Sequence, residues 1–84
     1  MNVAELFTSY RKVNELTQQE LAEAINRQVG LENFTSKQSI SLWENGANKP
    51  YPNRMKLLYQ QSDGSLKTLA LSVLKVLDAE PVQG

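Results

Sequence analysis

The chain has 84 residues, 40% of them hydrophobic and 21% charged, with a formal net charge of zero and neither cysteine nor histidine. That length holds one small domain, and the balance belongs to a folded globular protein rather than a disordered one. A disulfide framework, zinc fingers, Cys- or His-based catalysis and a membrane-spanning helix are all excluded, the last because no apolar run is long enough.

The opening stretch, MNVAELFTSYRK, has Glu5 inside its apolar part and no basic lead, so it is not a signal peptide, and the cytoplasm is the expected compartment. Val3, Leu6, Phe7, Tyr10 and Val13 recur at helical spacing and predict a first amphipathic helix. Asn14 can close it, with Leu16 packing underneath. Thr17 and Glu20 form a T-x-x-E capping box that opens a second helix, burying Leu21, Ala22 and Ile25 and extending toward Val29 before Gly30. Glu20 and Glu23 lie one turn apart on it, an arrangement expected of a solvated face rather than a catalytic dyad.

A third helix begins at Thr35 or Ser36, where Thr35-x-x-Gln38 is a second capping box. Ile40 and Trp43 share a face that points to the core, and Gly46 suits the left-handed position that ends the helix. Ala47 to Pro52 is a loop, because two prolines so close do not fit inside one helix. A fourth helix runs from about Pro52, which suits a first turn, through Met55, Leu58 and Tyr59. After the turn QSDGS, with Ser65 as N-cap, a fifth helix carries Leu66, Leu69, Ala70, Val73 and Leu77 on one stripe. Leu71 and Leu74 widen that stripe, and Val76 points away. Residues 81–84 read as a flexible tail, leaving 1–80 as the domain.

Charge is distributed unevenly. Residues 1–26 have a balance of −2 and residues 57–84 of −1, whereas residues 27–56 set five cations against two acids, a balance of +3. The basic segment contains the third helix. The four glycines are scattered and make no phosphate loop, and no residue set suggests catalysis, a metal or a cofactor, so no enzyme activity is expected.

Two short capped helices, the second polar on its outer side, suggest a helix-turn-helix whose second helix enters the DNA major groove. LTQQELAEAI followed by SKQSISLWENGANKP resembles the phage-repressor and Cro-like helix-turn-helix family, also called the xenobiotic-response-element family. The matching pattern is L-T-Q-x-E-L-A and then S-x-x-x-I-S-x-W-E-x-G-x-x-x-P, and the likeness covers roughly residues 6–60. The resemblance implies an all-α, lambda-repressor-like bundle of about five helices.

It also implies roles. Ser36, Lys37, Gln38 and Leu42 would face the groove, with Ser41 at its edge. Gln38 suits adenine, Lys37 guanine and Leu42 a thymine methyl. Gln18, Gln19, Asn45, Gly46 and Lys49 would contact phosphates and set register. Trp43 is expected to anchor the core and Glu44 to pair with a nearby cation. Arg11, Lys12, Arg54 and Lys56 either flank DNA or are ordinary surface residues.

One departure stands out. About two residues separate the two helices in the family, whereas ten, residues 26–35, lie between Ile25 and Ser36 here. They must lengthen the second helix or form a loop with Val29, Leu31 or Phe34 tucked inward, and Arg27 could gain a phosphate contact. The expected partner is double-stranded DNA, on a pseudo-palindromic operator if residues 66–77 pair two copies. A protein-interaction module on the same fold, or an antitoxin, is the alternative. No membrane partner is expected.

Overall fold

The computed structural model describes residues 1–79; the tail at 81–84 lies outside the described residues. Five α-helices follow in order: α1 Val3–Val13, α2 Gln18–Val29, α3 Lys37–Glu44, α4 Pro52–Gln61 and α5 Gly64–Ala79. There is no strand among the described residues. No helix among them is long and apolar enough to cross a membrane.

The helix ends have local causes. Asn2 caps α1 through a reciprocal box with Glu5, an N-x-x-E signal beyond those anticipated from the sequence. The expected box at Thr17 and Glu20 opens α2. Gly30 ends α2 in the left-handed region at φ 83°, and both its N–H and that of Leu31 return to the Asn26 carbonyl. Gly46 does the same for α3 at φ 79°, with Ala47 N–H bonded to Leu42 O at 3.0 Å. Pro52 occupies the first turn of α4, where a missing N–H costs nothing.

Of the two starts open to α3 the structure takes one, and two expected capping signals are not used. The N-cap of α3 is Ser36, whose hydroxyl accepts from Ser39 N–H at 3.2 Å; the Thr35–Gln38 box does not form. The reason is tertiary: the Thr35 backbone is held on both sides by Asn26, which keeps it outside the helix. α5 begins at Gly64 rather than after a Ser65 cap, and the Ser65 hydroxyl instead lies 2.8 Å from the Tyr10 hydroxyl of α1.

Every helix contributes to one core. Phe7, Leu21, Ile25, Ile40, Met55, Leu58 and Val73 have essentially no exposed surface. α5 packs on both α4 and α1, α1 also meets α3, and α2 sits against α3 and α4. Because α5 has two neighbours, its covered face is wider than one stripe. Leu74, Val76 and Leu77 all pack against the core, so Val76 does not point away, and Leu71 is the exposed leucine of α5 at 37%. Val13, expected inside, ends α1 at 82% exposure, beyond the reach of its neighbours.

The long connection combines both alternatives raised by the sequence. α2 runs on to Val29, and residues 30–36 then form a loop. Phe34 enters the core, Val29 packs against it, and Leu31 stays 53% exposed.

Candidate nucleic-acid interface

α3 is short, and its inner side holds it in place through three residues. Ile40 is fully buried. Trp43 packs its ring against Phe7 of α1, with centroids 5.0 Å apart. Glu44 receives two charge-assisted hydrogen bonds from Arg11 of α1, Nε to Oε2 and Nη2 to Oε1, each 2.8 Å. The side chain of Gln18, at the start of α2, donates to the same carboxylate at 3.4 Å. One acid therefore joins α1, α2 and α3.

The electrostatics follow from that geometry. The Arg11 guanidinium holds the Glu44 carboxyl below the usual carboxylate range; the Gln18 and Thr8 side chains add to this, against the opposing effect of burial. Arg11 is correspondingly raised by its bond to Glu44. Its remaining donor, Nη1, bonds the Leu16 carbonyl at 3.1 Å, tying the α1–α2 turn to the same network. Arg11 is thus structural, and Glu44 has the cation partner expected of it.

With the inner side occupied, the outer side of α3 is left to solvent. Ser36, Lys37 and Gln38 are exposed at its start. Gln38 and Leu42 stand one turn apart, opposite the Ile40–Trp43 side, and Leu42 is 38% exposed. Ser41 is half-buried beside them. Asn45 and Gly46 follow, exposed, with the Asn45 side chain accepting from Ala47 N–H at 2.9 Å. Lys37, Gln38, Ser41 and Leu42 therefore share the outer side of α3, and Ser36 sits at its N-terminal end, on the cleft with Ser39.

The predicted phosphate contacts are less uniform. Gln18 is half-buried and its amide donates inward to Glu44, leaving its backbone N–H at the start of α2. Gln19 bonds Glu23 one turn along, at 3.0 Å. Arg27 is exposed and borders a depression with Glu23, Asn26, Leu31 and Glu32. Lys49 shares with Ser36 and Ser39 a cleft of about 490 Å³.

That cleft also contains Asn33, Tyr51 and Arg54, which sequence reasoning had not gathered into one site. Arg54 reaches back from α4, donating to the Phe34 carbonyl and lying 5.2 Å over the Phe34 ring. Nothing in residue spacing signals this approach, because it depends on Phe34 entering the core. Among the described residues the charged side chains that line the cleft are Lys49 and Arg54.

Comparison of the chain with protein-family models, with curated proteins and with solved structures finds no match.

Proposed function

We propose that α3 is the recognition helix of a sequence-specific binder of double-stranded DNA, and that the protein is a transcriptional regulator, a repressor acting by occupancy. The observation that carries this reading is the division of α3 into two sides. Ile40, Trp43 and Glu44 anchor it, and Lys37, Gln38, Ser41 and Leu42 are presented outward on a helix narrow enough for the major groove. Gln38 then pairs with adenine, Lys37 donates to guanine, and Leu42 meets a thymine methyl or excludes water. Ser36 and the first turn of α3 approach a phosphate. Gln18 and Gln19 at the start of α2, Arg27 near its end, and Asn45, Gly46 and Lys49 after α3 set the register along the backbone.

Fluorescence anisotropy on random and selected duplexes over a salt series tests the assignment. Gln38→Ala is expected to lose about 1–3 kcal/mol on the selected duplex and to relax the preference at one base pair. Lys49→Ala weakens all duplexes alike and lowers the salt slope by about one. Equal losses on selected and random DNA for Gln38→Ala would remove the base-reading role.

A protein-interaction module is the second reading, favoured by the zero net charge and the exposed Leu31 and Leu42. Under it, no duplex binds with a salt-dependent affinity. If two copies pair through residues 66–77, the exposed Leu71 lies in the contact, and sedimentation of Leu71→Lys with a palindromic duplex reads the stoichiometry.

A further inference from the structure

We infer that Asn26 is a positioning residue for α3: a side chain on α2 that sets how Lys37 and Gln38 are presented without being part of the outer face. This rests on the reading of α3 as a DNA-recognition helix.

Asn26 lies in the last turns of α2, half-buried, and its amide uses both of its functions on the long connection. Nδ2 donates to Glu32 O at 2.7 Å and to Thr35 O at 3.0 Å, while Oδ1 accepts from Thr35 N–H at 2.8 Å. Thr35 immediately precedes Ser36, the N-cap of α3. One side chain thus pins both backbone groups of the residue that leads into the helix. The Thr35 hydroxyl is buried and has no hydrogen-bond partner among the described residues, so it is the backbone of this residue that ties it to α2.

The requirement for asparagine is chemical. The site needs a donor and an acceptor on one short planar group, and among side chains of this length only the amide has both. Aspartate keeps the acceptor for Thr35 N–H and loses the donors to Glu32 and Thr35. Alanine loses everything. Without these ties Thr35, between the buried Phe34 and the Ser36 cap, is no longer fixed to α2, and α3 keeps its inner anchors while its first turn loses a fixed direction. The opposite end of α3 is held independently by Glu44 and Arg11, so the effect concentrates at Lys37 and Gln38.

The test uses Asn26→Ala and Asn26→Asp in the full chain, with three readouts: affinity for selected and random duplexes, melting temperature, and backbone amide resonances of the free protein. Base reading needs side chains held to a fraction of an ångström. Asn26→Ala should therefore lose about tenfold or more on the selected duplex, the lower range of one lost bidentate contact, with random-duplex affinity little changed. Asn26→Asp keeps the shape and should lie between alanine and the wild type. In the free protein, the Lys37 and Gln38 amide resonances should move in both variants while those of Trp43 and Glu44 stay. A lower melting temperature with an unchanged ratio of selected to random binding would overturn the inference, leaving Asn26 a stabilising residue only. A wild-type protein that binds no duplex sinks the DNA reading alone. The inference is then decided by the Lys37 and Gln38 resonances, which move if it holds and stay if it does not.

Discussion

Four residues, 14–17, lead from α1 into α2, and seven, 30–36, lead from α2 into α3. The first connection closes with groups next to it in sequence. Glu15 takes the left-handed conformation at φ 55°, Leu16 N–H returns to Arg11 O at 2.9 Å, and Thr17 caps the next helix. The second is closed locally only at its start, by Gly30. Its far half depends on Asn26 from α2, Arg54 from α4, and the core that receives Phe34. A turn closed by neighbours survives the loss of distant contacts. One closed by side chains from two other helices transmits any disturbance to the helix it leads into.

The sharpest break in that comparison is Phe34→Ala. The ring is 8% exposed and belongs to the core, so its removal should cost about 3–5 kcal/mol, much of the stability of a domain this size. Urea denaturation reads it, and a variant with an unchanged midpoint would show that the long connection does not rely on the core.

Glu44→Ala probes a long-range tie of the short connection, since Arg11 also holds the Leu16 carbonyl. The expected loss is about 2–3 kcal/mol, below the full cost of breaking a buried pair because Arg11 retains 22% side-chain exposure. The pH dependence has a definite sign. Glu44 has a lowered pKa in the folded state, so its stabilisation is present above the ordinary glutamate value of about 4.3. It is lost as pH falls through the lower folded value. Glu44→Gln should flatten the part of the stability profile that lies below the ordinary glutamate value, measured by denaturant titration; an unchanged slope would mean other carboxylates carry it.

Thr17→Ala removes a cap whose effect is confined to its own helix end. A loss of about 1 kcal/mol is expected, with the backbone resonances of α3 unmoved. Changes reaching Lys37 would contradict the local character of the first connection.

The smallest effect is a gain. Glu15 is the one non-glycine residue with positive φ among the described residues, and Glu15→Gly relieves that conformation while adding freedom to the unfolded chain. The balance should be a stabilisation of no more than about 1 kcal/mol, visible as a higher thermal midpoint. A clear destabilisation would mean that the Glu15 side chain, rather than the turn geometry, matters there.

Features made by residues three to five apart can be read directly from the chain. The Thr17–Glu20 box, the left-handed stops at Gly30 and Gly46, Pro52 in a first turn, and the inward pairing of Ile40 with Trp43 depend on local stereochemistry and helical periodicity alone. The gathering of Lys37, Gln38 and Leu42 on one surface follows from the same periodicity once Ile40 and Trp43 are inside. Choices between near-equal local options belonged to the tertiary structure. Thr35 and Ser36 are both competent caps, and the Asn26 amide, nine residues before Thr35, decided for Ser36 by holding Thr35 outside the helix. Phe34 rather than Leu31 entered the core because Arg54 and α4 close over it, and Val76 was covered because α5 has two neighbouring helices instead of one. Periodicity specifies which side of a helix is apolar; how much of that side is covered, and by what, depends on residues far along the chain that only folding brings near.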